Sequence, residues 1–277
     1  MLWLSVNIAQ YLERMDFFAR LKNIEGVEIP QGRARHDQAH SLMEITLLRS
    51  SDNAEEVTDR LANAVVGSMV GRAAKPIDFL ALPDTEFLQY YHPIRYSLSE
   101  LVGNALTHAR REGHFDASVW IASQYYKDDG GKVHLAVVDD GCGFLATLKH
   151  HAQVREQTHA AAIEAALKPR VSCNRDLGIV STSENQGVGL TTTVLIAKKS
   201  GGSVHIVSGD TLYRDGSLGL RKRSDRVKAL PGAWNGVAIS AVLNRDQLPL
   251  IRIADLLPKD EVDLTFEAPE IDFRFSE

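Results

Sequence analysis

The tetrapeptide Asp128-Asp-Gly-Gly131 stands between two apolar runs, Ala117 to Tyr126 and Lys132 to Asp139, and leaves this stretch little alternative to an antiparallel hairpin. The second run carries Val133, Leu135, Ala136, Val137 and Val138, the length and β-branched content of a buried strand, which puts Asp139 where that strand leaves the core. The next residues are Asp140-Gly-Cys-Gly143-Phe144, two glycines beside a carboxylate. A partly buried carboxylate at that point requires donors, and backbone amides, water or a purine amino group all qualify. Gly141 and Gly143 let the backbone turn and let a flat ligand approach with no Cβ in the way. Asp-x-Gly-x-Gly also occurs as ordinary turn chemistry, so the segment alone leaves both readings open.

Upstream, Leu98, Leu101, Val102, Ala105, Leu106 and Ala109 recur at the spacing of one helical face, while Glu100, Asn104 and His108 fall four apart on another. An acid, an amide and an imidazole in one stripe suit the lining of a Mg-triphosphate site. The competing reading is local: Ser97-Leu-Ser-Glu100 has the pattern of a capping box, in which Glu100 only closes the helix start. Downstream, Gly187-Val-Gly189-Leu190-Thr191 opens an apolar helix over Thr192 to Lys199, an arrangement that turns backbone amides and a helix N-terminus toward phosphate. Gly201-Gly202 ends that helix, and strands are expected at Val204–Val207 and Asn235–Leu243, with the basic, turn-rich segment Tyr213–Arg226 between them.

Taken in order, Glu100-Leu-Val-Gly-Asn104-Ala, Asp139-Asp-Gly-Cys-Gly143 and Gly187-Val-Gly189-Leu190-Thr191 resemble the N, G1 and G2 boxes of the GHKL ATPases. The likeness covers Tyr90 to Asn244. The runs Leu101–Ala109 and Gly201–Gly209 look most like the branch of histidine kinases and anti-sigma kinases, and the layout is similar to stand-alone bacterial ATP-binding proteins of that branch. The resemblance implies an α+β fold, a two-layer α/β sandwich of the Bergerat type, that binds ATP with Mg2+. It implies Glu100 as catalytic base, Asn104 as Mg ligand and Asp139 as the adenine-binding acid. His108 would stand near phosphate, and Gly141, Gly143, Gly187, Val188, Gly189, Leu190 and Thr191 would form the nucleotide loops. It further implies a regulatory protein or slow ATPase that switches toward a protein partner, with kinase action or a degenerate binding module as alternatives, and it allows a homodimer. Two departures stand out. Thr191 occupies a position where relatives commonly have glycine, and Gly236-Val237 replaces a Gly-Thr pair whose hydroxyl assists adenine recognition.

The expected organisation is a small α/β module over residues 1–78, the ATP-binding domain over 79–245 with a lid at about 145–186, and an acidic tail over 246–277. In the module, Ile8, Leu12, Met15 and Phe18 suggest an amphipathic helix, Leu42–Leu48 a strand, and Asp52 the cap of a helix over Asn53–Val70. Arg35-His36-Asp37 faintly resembles a phosphoacceptor box, but its neighbours Pro30 and Gly32 favour a solvated loop. His150, His151 and His159 lack the accompanying cysteines or acids of a metal set and are read as a solvated face. A formal charge of −5 argues against a generally phosphate-hugging surface, so nucleic acid is not the expected partner. Two cysteines make no disulfide framework, no leader pattern opens the chain and no run is long enough for a membrane span, which points to the cytoplasm.

Overall fold

The computed structural model describes residues 6–20, 41–67, 85–169, 171, 189–216, 222–251 and 256. In chain order these form α1 (Val6–Arg14), α2 (Phe17–Arg20), β1 (Leu42–Leu48), α3 (Ala54–Val66), α4 (Thr85–Ala109), β2 (Val119–Tyr126) and β3 (Lys132–Asp139). The chain continues through α5 (Gly143–Leu148), α6 (His159–Ala166), α7 (Gly189–Lys199), β4 (Ser203–Gly216), α8 (Arg223–Arg226), β5 (Val227–Asn244) and a 3-10 turn at Arg245–Leu250. The strands make one antiparallel sheet in the order β1-β2-β3-β5-β4, so the fold is mixed α+β.

The central hairpin forms as its turn residues require: Tyr126 pairs with Lys132 and Val119 with Asp139, while Gly130 and Gly131 adopt φ of +65° and +71°. Side chains alternate along it, and the alternation selects the core face. Val133, Leu135 and Val137 are buried, His134 is exposed, and Ala136 and Val138 are half-buried. Helices α3, α4 and α7 lie against the buried face. Leu61, Val65, Val102, Ile121, Leu135 and Ile206 are at most 1% exposed there, and burying each such side chain contributes about 1.5–3 kcal/mol.

The strand β1 belongs to this sheet. It pairs with β2, and Met43, Leu48, Val57 and Leu61 join the same apolar cluster as Val102 and Leu135. The expected boundary near residue 78 therefore crosses one sheet and one core, in which β1 and α3 bury their apolar faces against the elements that follow. The boundary at 246 moves too. Leu248 is fully buried, and the Arg245 guanidinium lies 3.7 Å over the Tyr125 ring while donating to the carbonyls of Val65 and Ala64 at the end of α3. That places a cation on the carbonyl end of a helix, where the peptide dipoles favour it. Likewise α5 and α6, inside the expected lid, are core elements, with Leu148, Ile163 and Ala165 buried in the main cluster. Residues 170 and 172–186 of that lid, the His36–Asp37 segment and the tail beyond 251 other than Leu256 lie outside the described residues.

Strand β4 departs furthest from expectation. Fourteen residues in a straight strand would span roughly 45 Å, yet a Cβ built on Gly216 would lie 2.6 Å from the Cα of Ser203. The chain reverses at Gly209, whose φ is +58° and whose pairing with β5 shifts register on both sides. Ser203–Ser208 then pair with Val237–Val242, and Thr211–Tyr213 with Val227–Ala229. Of the basic segment expected as turns, Tyr213–Gly216 continue β4 and Arg223–Arg226 form α8, since local charge does not report a partner supplied from elsewhere in the sheet. Among the described residues no helix is long and apolar enough to cross a membrane.

Candidate functional site

Helix α4 runs from Thr85, twelve positions before Ser97, so Ser97 and Glu100 are interior residues and the capping-box reading falls. The Ser97 hydroxyl instead donates to the carbonyl of Gly189 at 3.3 Å and lies 3.1 Å from the Thr193 hydroxyl, tying α4 to α7. Leu98, Leu101, Val102, Leu106 and Ala109 are buried as their spacing predicts. Beside Leu101 and Ala105 on the same turns, Asn104 and His108 reach the wall of a cavity of about 80 Å³, well above the ~10–15 Å³ that one water needs.

The cavity floor is the end of β3. Continuing the alternation of Val133, Leu135 and Val137, Asp139 points to the core face and is 4% exposed. Its Oδ1 accepts from the amides of Gly141 at 3.0 Å and Val237 at 3.1 Å. Among the described residues no donor reaches Oδ2. Burial outweighs these two hydrogen bonds and, with Asp140 adjacent, raises the carboxyl from 3.8 to about 6. Asp140 itself is exposed and takes the amide of Ser118 at 2.7 Å. Two consecutive aspartates therefore do opposite things: one secures a strand end, the other faces a cavity.

Glycines permit this packing. A Cβ on Gly141 would stand 2.2 Å from the Ala109 carbonyl oxygen, and one on Gly236, whose φ is +107°, would stand 2.2 Å from the Asp139 carbonyl oxygen and 2.7 Å from Oδ1. Gly143, with φ of +75°, meets the Ser208 hydroxyl, which donates to the Gly236 carbonyl and accepts from the Phe144 amide. Around the floor the walls are apolar, from Leu101, Ala105, Val137, Phe144, Leu148, Ala166, Val171, Leu190, Val237 and Ile239. His108 adds a ring whose pKa is lowered to about 4, by burial first and by Arg111 second, so it is a neutral imidazole rather than a cation.

The structure thus brings Asn104, His108, Asp139, Gly143 and Leu190 to one cavity. Gly141 supports its floor. Glu100 is not in the wall: a Cβ on Gly189 would lie 2.6 Å from the Glu100 Cβ and 2.8 Å from the Leu101 amide, so the first turn of α7 abuts α4 at Glu100. The Thr191 hydroxyl donates to the Leu167 carbonyl at 3.2 Å and links α7 to the segment after α6. Gly187 and Val188 lie outside the described residues. His150, His151 and His159 make no shared site; His151 accepts from the Gln153 amide, and the His159 ring lies on Gly209.

Sequence reasoning missed three participants. Ser208 is 0% exposed and joins three segments, but an isolated serine in a strand carries no signal. Trp234 donates its indole N–H to the Asp139 carbonyl at 3.0 Å, across 95 positions of sequence. The Val237 amide holds Asp139, a backbone contact that the Gly236-Val237 pair does not announce by its side chains. Gly236 could have been read, because a glycine inside a strand marks a close backbone approach. Comparison with protein-family models, with curated proteins and with solved structures finds no match to this chain.

Proposed function

We propose that the chain is a Mg-dependent ATP-binding protein of regulatory type, built on a Bergerat-like variant of the α+β fold, with the cavity on Asp139 receiving the purine. One observation carries the reading: a buried carboxylate at the end of an apolar cavity has one oxygen held by two backbone amides and the other committed to no described group. Such an oxygen is a receptor for an N–H donor on a flat, otherwise apolar ligand, and the exocyclic amine of adenine is such a donor. The apolar walls suit the faces of the ring. The ordered likeness of the three boxes supports the same conclusion.

The phosphate end rests on α4 and α7. Asn104 offers a neutral oxygen in the cavity wall, suited to a hard cation that also takes phosphate oxygens and water. Among the described residues no three His, Cys, Asp or Glu side chains gather into a metal site, so the nucleotide itself would complete the coordination. Bound Mg2+ would neutralise phosphate charge there. Glu100, one turn before Asn104 and against the start of α7, is the candidate proton acceptor for slow turnover. The neutral His108 contributes hydrogen bonding rather than charge.

Calorimetry with Mg-ATP tests the reading, with a subsequent assay of phosphate in solution and on protein. Saturable binding that weakens in Asn104→Ala and Asp139→Asn is expected. Absence of binding to the wild-type chain would sink it. Phosphate in solution indicates a slow ATPase, phosphate on a protein indicates a kinase, and neither indicates a nucleotide switch.

A further inference from the structure

We infer that the protonation state of Asp139 selects the base: the ionised carboxylate takes a 6-amino purine, and the protonated acid takes a 6-oxo purine. The inference rests on the proposed nucleotide binding and concerns the same cavity. Oδ1 is bonded by the Gly141 and Val237 amides at 3.0 and 3.1 Å, and a main-chain N–H can only donate, so Oδ1 stays an acceptor in either state. An added proton therefore resides on Oδ2, which no described donor reaches. The carboxyl keeps its place while Oδ2 changes from acceptor to donor. An exocyclic amine matches the first form and repels the second; a 6-oxo group does the reverse.

The exchange falls in an ordinary pH range because burial raises the group to about 6. Of the other ionisable groups nearby, α4 presents His108, which is already neutral above about pH 4. Arg111 and Glu112 come just after α4, with the Glu112 carboxyl held below its usual range by Lys149. The turn into α5 presents Cys142, whose thiol burial pushes up, and β3 ends on the exposed Asp140. The cavity residues from α7, β5 and the α6 end, Leu190, Val237, Ile239 and Ala166, carry no ionisable group, and neither does the supporting Ser208 of β4. Asp139 is thus the lining group whose charge changes between about pH 5 and pH 8. Asp139→Asn fixes the outcome chemically. The two amides select the side-chain oxygen, leaving the NH2 where Oδ2 was, a permanent donor.

The test is calorimetric titration of the full chain with Mg-ADP and with Mg-inosine diphosphate across that range. The two ligands share ribose and phosphates, so protonation of phosphate cancels in the ratio of affinities. The ratio favouring ADP is expected to fall about tenfold or more from pH 8 to pH 5 in the wild type, and to be lost or reversed at every pH in Asp139→Asn. ADP binding with a ratio constant across pH overturns the inference while leaving nucleotide binding intact, and the wild-type profile decides this even where the variant does not fold. Failure of both nucleotides to bind at any pH overturns the nucleotide reading and the inference with it.

Discussion

Asp139 and Asp215 are buried carboxylates, 4% and 6% exposed, at two places on one sheet, and they are treated in opposite ways. Asp215 receives the Lys198 ammonium at 3.1 Å, the Tyr213 hydroxyl at 3.3 Å and the Gly216 amide at 2.8 Å. Burial alone would raise its pKa, but Lys198 first, then the Gly216 amide and Arg226, outweigh it and the group is held below its usual value. Asp139 has two amides, no cation in its cavity wall, and a raised pKa of about 6. A carboxylate that serves the fold is supplied with its counter-charge by the fold. One left short of partners beside a cavity is poised for a ligand to supply them.

The largest effect expected concerns the support of Asp139. Gly236→Ala puts a Cβ against the Asp139 carbonyl at a φ of +107° and should cost about 3 kcal/mol or more, whereas Gly232→Ala, in open space, should leave the melting temperature nearly unchanged. Equal melting of the two variants would show that the floor of the cavity yields and is not preformed. Next is the stability linkage. Because Asp139 is raised from 3.8 to about 6, the folded state binds the proton more tightly than the unfolded one, and ionisation lowers stability by up to about 3 kcal/mol above pH 6. Asp139→Asn should therefore raise stability at pH 7. The gain should shrink as pH falls from about 6 to 4, a difference that denaturant titrations on both proteins would measure. Asp215→Asn should show the opposite sign at pH 7, because its lowered group stabilises the fold above its unfolded value and loses that contribution in acid.

Ligand affinity sharpens the contrast. Loss of a hydrogen bond to a charged group is worth roughly 1.5–3 kcal/mol, so Asp139→Asn should weaken Mg-ATP about ten- to a hundredfold, while Asp215→Asn should not. Similar losses in both would make Asp139 one structural acid among others. A smaller change is expected for Lys198→Met, about 1 kcal/mol of stability, discounted because the Lys198 side chain is 37% exposed. Smallest of all, His108→Gln should leave the pH dependence of ADP affinity between about pH 5 and 8 in place, since that imidazole titrates near 4; a profile flattened by the substitution would move the switch from Asp139 to His108.

Much of this site was legible because its parts are local. The spacing of Leu98 to Ala109 oriented Asn104 and His108, and the Asp-Gly-Gly turn fixed the register that ends β3 at Asp139. Less legible was what depends on distant partners. The extent of α4 back to Thr85, which removed the capping box, adds turns before the periodic stretch that begins at Leu98, and the helix packs against α3 and α7. The reversal at Gly209 requires Gly216 to meet Ser203, and the joining of β1 to β2 brings residues 42–48 beside 119–124.

The sequence by itself determined the periods: which residues alternate, which share a helical face, and where glycine permits a turn, because these depend on neighbours within a few positions. Tertiary structure alone decided charge and partnership. Asp139 and Asp215 each begin as an aspartate in a β segment, and nothing within four positions of Asp139 reveals that its second amide comes from Val237. Nor does the sequence around Asp215 show that an ammonium will arrive from α7. Desolvation and hydrogen bonding are properties of the assembled surroundings, so two similar side chains acquired a raised and a lowered pKa only when the sheet closed.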